Sequence, residues 1–223
     1  MTIDDAVKKI GEVGIIPVIR AANPEEGVLA VEAVLAGGIS IVEITMTVPK
    51  ADVLIQQLVR RYRDEVLIGA GTVLTSEQAK RCLDSGAAFL VSPGLSASVL
   101  SIASAYRTLA IPGALTPTEL MNAHELGAKL VKIFPCGSAG GPNYLKALRA
   151  PFPDAQLIPT GGVNVSSAAD YLAAGAFALG VGGELVDLVA LRKGNSAKIV
   201  ATARHLIGIV QQSARGKCPI GGP

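Results

Sequence analysis

Tryptophan is absent from this 223-residue chain, and Phe and Tyr supply only four residues each. An interior without large rings has to be filled by Ala, Val, Leu and Ile. Charge is also scarce, at 17% of residues against 50% hydrophobic, with a net charge of +2. The two signs are scattered and no basic block occurs, so the chain lacks the electrostatic footprint of a nucleic-acid binder. No apolar run reaches the length of a membrane span. The start, MTIDDAVKKIGEVG, carries acids early and lysines late. It reads as an amphipathic helix and not as a secretory leader. Cys82, Cys136 and Cys218 are widely spaced and odd in number. They form neither a metal-ligand pattern nor a disulfide framework, so a reducing cytoplasm is expected and no metal or other cofactor is implied.

What the sequence has in abundance is one repeating pattern. Short apolar runs begin at Ile15 (IIPVIR), Ser40 (SIVEIT), Val66 (VLIGAGT), Ala88 (AFLVSPG), Thr108 (TLAIPGA), Leu130 (LVKIFPCG), Gln156 (QLIPTGG) and Phe177 (FALGVGG), roughly 20–26 residues apart. The gaps between them carry polar caps and helical spacing. Asn23, Thr75 and Thr116 read as N-caps, with Glu26, Gln78 and Glu119 completing capping boxes. Gly37, Gly86, Gly127 and Gly175 read as helix stops. Apolar strands alternating with helices imply a parallel sheet covered on both faces. Eight such units with no spare segment predict a (βα)8 TIM barrel with an N-terminal helix, one domain over 1–223. Pro17 counts mildly against the first strand. The Gly/Pro-rich tail, about 212–223, reads as disordered.

In a (βα)8 barrel the chemistry gathers at the C-terminal strand ends. Lys132 lies inside LVKIFP, on one face with Leu130 and Phe134. An ammonium packed there is costly unless paired or used, and burial lowers a lysine pKa towards a free amine nucleophile. The plainer alternative is a structural lysine reaching the rim or paired with an acid. Glu43, on one face with Ile41 and Thr45, points into the same barrel end as a candidate proton shuttle, or as the partner of a buried ion pair. Gly161 and Gly162 follow the seventh run, and Gly182 and Gly183 the eighth. Loops there commonly hold phosphate through backbone N–H groups, although glycine pairs also suit tight turns. His124 reads as a surface residue, and Cys136 as a packing residue near the site mouth.

Taken together, VEIT, GAGTV, SPG, IPG, VKIFP, PTGG and GVGG, in this order from about Ile15 to about Leu206, resemble the 2-keto-3-deoxy-6-phosphogluconate aldolases and their 4-hydroxy-2-oxoglutarate-cleaving relatives. The resemblance implies a metal-free class I aldolase on a (βα)8 barrel, assembled as a homotrimer. Its reaction would cleave the keto-acid phosphate to pyruvate and glyceraldehyde 3-phosphate. It implies Lys132 as the Schiff-base lysine, Glu43 as general acid/base and Thr72 beside the pyruvate carboxylate. Pro93 and Phe134 would line the pyruvate pocket, and Gly161, Gly162, Gly182 and Gly183 would bind phosphate.

Two positions depart from that pattern. Thr47 stands where many members carry a carboxylate-binding arginine, and Arg20, at the end of the first strand, is the candidate replacement, as in a branch acting on the phosphogalactonate substrate. Glu184 stands where serine usually completes the phosphate site, and a carboxylate repels phosphate unless it points away or pairs with a base. An aldolase for an unphosphorylated or epimeric 2-keto acid therefore remains as an alternative. So does, on fold grounds alone, a sugar-phosphate isomerase or epimerase, although such an enzyme has no need of an amine in the sixth strand.

Overall fold

The computed structural model describes residues 1–215. Nine strands alternate with helices: β1 (Ile15–Ile19), β2 (Ile41–Thr45), β3 (Leu67–Gly71), β4 (Phe89–Val91), β5 (Leu109–Ile111), β6 (Gly113–Ala114), β7 (Val131–Ile133), β8 (Leu157–Pro159) and β9 (Leu179–Val181). Every expected run holds a strand. The fifth holds two, because Pro112 interrupts it and has no N–H to donate. Its carbonyl still accepts from the Lys132 N–H at 2.9 Å. All pairings are parallel. They form a six-stranded sheet in the order β5-β4-β3-β2-β1-β9 and a three-stranded sheet in the order β6-β7-β8. The expectation of one closed eight-stranded sheet is met only in part, as a curled parallel α/β arrangement in two pieces. A single parallel bridge, Thr160 to Gly180, joins the ends of β8 and β9. Pro17 does sit in β1, in register with Val181.

Helices α1 (Ile3–Val13), α2 (Pro24–Ala36), α3 (Ala51–Tyr62), α4 (Ser76–Asp84), α5 (Ala97–Ala105), α6 (Pro117–Glu125), α7 (Gly141–Arg149), α8 (Ala168–Ala173), α9 (Leu188–Arg192) and α10 (Ala197–Arg215) occupy the gaps. Asn23, Thr75 and Thr116 cap α2, α4 and α6 as expected. Only Thr116 with Glu119 makes a full capping box among these three. The Glu26 carboxylate instead accepts from the Ala22 N–H, and Gln78 from the Leu74 N–H. The stop after α2 also differs: Gly37 is right-handed, and the left-handed turn is made by Gly38, with φ 100°. The expectation of a disordered tail from about residue 212 is corrected at its start. Residues 212–215 continue α10, since no proline or glycine interrupts it between Gly208 and Gly216. The rest of the expected tail lies outside the described residues.

Period-2 alternation splits the strand side chains into two layers. Ile19, Val42, Ile44, Ile68, Leu90, Val131, Ile133 and Leu157 face the helices. Ile16, Ile41, Leu67, Phe89, Leu109, Leu130, Ile158 and Ala178 form an inner cluster, closed from below by Ala6 and Ile10 of α1. The N-terminal helix thereby seals the apolar floor, and polar side chains on the inner face lie above it, towards the C-terminal strand ends.

Candidate active site

One inward step above that floor, β2 carries Glu43 and β7 carries Lys132. Each side chain is only 3% exposed. Glu43 is held in register with Val18 and Gly69 of the flanking strands. Lys132 sits between Gly113 and Ile158. Gly71 at the end of β3 makes room for the carboxyl, because a Cβ there would overlap Glu43 Oε1. That oxygen is buried without a hydrogen-bond partner among the described residues.

The electrostatics follow from the burial. Desolvation pushes the Glu43 carboxyl above its ordinary value, opposed by the positive fields of Lys132 and then Arg20. Desolvation likewise pushes the Lys132 ammonium below its ordinary value, opposed by Glu43 and reinforced by Arg20. Both shifts favour the neutral forms. A neutral amine is a nucleophile, and a carboxyl poised to gain or lose a proton is an acid/base catalyst. Phe134, one inward step beyond Lys132, brings its ring centroid to 5.0 Å from Nζ.

A cavity of about 200 Å³ borders this pair through the Phe134 ring and Arg20. Its walls are Val18, Arg20, Phe134, Thr160, Val163, the glycines 161, 162, 182 and 183, and Glu184. The two glycine pairs are there for different reasons. Gly161 and Gly162 hold φ of 83° and 82°, which side chains rarely adopt. Gly182 and Gly183 have open space where a Cβ would stand, so their backbone is left accessible from the cavity. Arg20 lies on this wall and its charge also reaches Glu43 and Lys132.

Five expected residues are not part of the cavity wall: Lys132 and Glu43 themselves, and Thr72, Pro93 and Thr47. Thr72, half-buried, follows Gly71 with a left-handed φ of 53°. Pro93 is half-buried, and its carbonyl packs where a Cβ on Gly113 would stand. Thr47 is exposed, with Oγ1 2.6 Å from Thr45 Oγ1, which also reaches the Ile19 carbonyl at 3.0 Å. Thr47 thus touches the Thr45 hydroxyl that ties the end of β2 to β1. Cys136 is fully buried, and desolvation lifts its thiol to about 11, so it packs as a neutral group. His124 is exposed, as expected.

One pair was not legible in the sequence. Arg192 at the end of α9 grips Glu26, with Nε at 2.6 Å and Nη2 at 3.2 Å from its two oxygens. The Ala22 N–H donates to the same carboxylate at 2.6 Å. The loop carrying Arg20 is thereby tied to the helix that follows Glu184. The capping pattern revealed Glu26 but could not reveal a partner 166 residues away. Glu184 is exposed, and its charge is felt by Lys198, whose main partner is Asp187 at 2.7 Å.

Comparison with known proteins identifies the family. The family model for KDPG and KHG aldolase matches residues 5–202. The 2-dehydro-3-deoxy-phosphogluconate aldolase of Haemophilus influenzae is 32% identical over 94% of this chain and 99% of its own. The 2-dehydro-3-deoxy-6-phosphogalactonate aldolase of Escherichia coli is 38% identical over 77% of this chain and 83% of its own. The crystal structure of the KDPG aldolase from Legionella pneumophila, with pyruvate captured as a covalent carbinolamine, superposes with a TM-score of 0.83 at 32% identity, covering 90% of this chain and 97% of that one. The chain belongs to the KDPG and KHG aldolase family, whose members are carbon–carbon lyases.

Proposed function

We propose that this chain is a class I aldolase that cleaves 2-keto-3-deoxy-6-phosphogluconate to pyruvate and glyceraldehyde 3-phosphate through a Schiff base on Lys132. The observation that carries the reading is the burial of Lys132 and Glu43 at one barrel end, each 3% exposed. The Lys132 amine attacks the keto carbon, and loss of water from the carbinolamine leaves an imine that accepts the electrons of the breaking C–C bond. Glu43 moves the protons these steps need, and neither group has to be charged at the outset. Thr72, Pro93 and Phe134 enclose the pyruvate half. The glycine loops at 161–162 and 182–183 receive the phosphate through backbone N–H groups. Arg20 takes the substrate carboxylate, and Thr47 holds the strand end behind it.

A second substrate, 2-keto-3-deoxy-6-phosphogalactonate, is favoured by one specific feature, an arginine at the end of β1 on the cavity wall with no arginine at residue 47. An unphosphorylated acid such as 4-hydroxy-2-oxoglutarate is the remaining alternative. The Thr160–Gly180 bridge and the short break at Pro112 support closure of the two sheets into one (βα)8 barrel, a single domain. A cytoplasmic homotrimer completes the reading.

Borohydride reduction in the presence of pyruvate tests it. One reduced adduct is expected, on the peptide containing Lys132. Label on another lysine, or turnover that stops when divalent metal is removed, overturns the class I assignment.

A further inference from the structure

A cavity of about 530 Å³ lies at the opposite, N-terminal end of the strands. It is far from the chemistry above, and its walls include Leu67 and Leu109, the first residues of β3 and β5. Apolar side chains supply part of the wall, with Val59 beside Leu67 and Leu109. Two guanidinium-bearing residues, Arg63 and Arg107, stand at its rim with one carboxylate, Asp64. Neither arginine has an ion-pair partner among the described residues.

The backbone at these arginines is the second observation. Four helix-to-strand turns end on a glycine whose N–H returns to the carbonyl three positions back. Gly38, Gly86, Gly127 and Gly175 do so at 2.8–3.1 Å, with φ between 82° and 100°. Arg107 makes the same bond, to Ser104 at 2.9 Å, with φ 53°. Arg63 ends α3 with φ 46°, its N–H returning to Val59 four positions back, and a single 3-10 turn over Arg63–Glu65 follows. Glycine is the low-strain residue for such a turn. Arg107 stands in such a turn and Arg63 at the positive-φ end of α3, and both arginines border the same cavity.

We propose that this cavity is a second ligand site, binding the phosphate group of a small organic phosphate between Arg63 and Arg107. Guanidinium groups match phosphate oxygens with paired hydrogen bonds. Val59, Leu67 and Leu109 then cover the ligand's carbon body, and the volume suits a metabolite-sized molecule. Asp64 leaves the rim with a surplus of one positive charge, which selects an anion.

Amide chemical-shift titration reads this site separately from the catalytic end. Phenyl phosphate should produce saturable shifts at Leu67, Ala88 and Thr108, at lower concentration than inorganic phosphate. Arg63→Gly and Arg107→Gly suit the backbone of these turns, so both variants should remain folded and retain aldol cleavage. Each should weaken phenyl phosphate binding at least about tenfold. Shifts that grow linearly, or that sodium chloride reproduces at equal ionic strength, overturn the proposal. Equal affinity in the glycine variants overturns it too. Saturation by malonate without saturation by either phosphate overturns the ligand class.

Discussion

The Glu43 carboxyl occupies the space in which a Cβ on residue 71 would stand. Glycine at 71 is therefore part of how the carboxyl is placed, one strand away from its own backbone. Gly71→Ala should push Glu43 off its position and cost roughly 10²-fold in cleavage, the scale expected for a displacement of about 1 Å at a reacting group. Borohydride trapping of pyruvate on Lys132 should survive in the same variant. Cleavage near the wild-type rate would show that the carboxyl position is uncritical.

The buried pair also sets a pH dependence. Lys132 has its folded value pushed below the ordinary 10.5, so its contribution to stability is present above 10.5 and lost as pH falls through the folded value. Glu43 is raised above 4.5, so its contribution is present below 4.5 and lost as pH rises through the folded value. Between these limits both groups oppose folding in exchange for reactivity. Half-maximal trapping of pyruvate should therefore occur below pH 10.5. Glu43→Gln removes a negative field that raises the Lys132 value, so its trapping midpoint should fall further. A midpoint that rises in this variant contradicts the coupling.

The strands and the inner polar pair were legible because a period of two marks both. Lys132 and Glu43 each interrupt an apolar run on the inward face, and no alternative register removes them from the interior. Residue-level packing was not legible in this way. Nothing in the run VLIGAGT marks Gly69 and Gly71 as packing positions, yet a Cβ at Gly69 would strike the Phe89 ring as one at Gly71 strikes Glu43. The room they leave depends on neighbouring strands. Glu26 was read as a local cap, and its engagement with Arg192 is a long-range tertiary contact that spacing cannot encode. The split at Pro112 follows from a missing donor that the sequence did display, within a run otherwise continuous enough to read as one strand.

The Glu26–Arg192 pair joins the β1 loop to α9, and so joins the two ends of the proposed substrate site. Glu26→Gln retains a cap for Ala22 and removes the ionic grip of Arg192. It should raise KM for the phosphorylated keto acid severalfold while leaving kcat within about twofold, the signature of lost uniform binding. Arg192→Lys should behave similarly, because a point charge cannot reproduce the two-pronged contact. A fall in kcat at unchanged KM in both variants would place the pair's influence on the chemistry and not on substrate positioning.

The two departures from the family pattern make opposite predictions along the cavity. Arg20 lies on its wall and its field reaches Lys132 and Glu43, so it stands where a carboxylate beside the imine would be gripped. Arg20→Ala should therefore impair every keto acid, phosphorylated or not. It also removes a charge that lowers the Lys132 value, so part of the loss should appear as a trapping midpoint shifted to higher pH. Glu184 lies beside the glycine loops proposed to receive phosphate but is exposed, with Lys198 close enough to feel its charge. Solvent and that lysine both weaken its repulsion of a phosphate. Glu184→Ser should then lower KM for 2-keto-3-deoxy-6-phosphogluconate by only about 2–5-fold, the size of an exposed charge effect. 4-Hydroxy-2-oxoglutarate should be unaffected, and the gain should shrink as salt is raised. If Arg20→Ala spares both substrates, the carboxylate is held elsewhere. If Glu184→Ser helps both acids equally, its side chain acts on the loop and not on the phosphate.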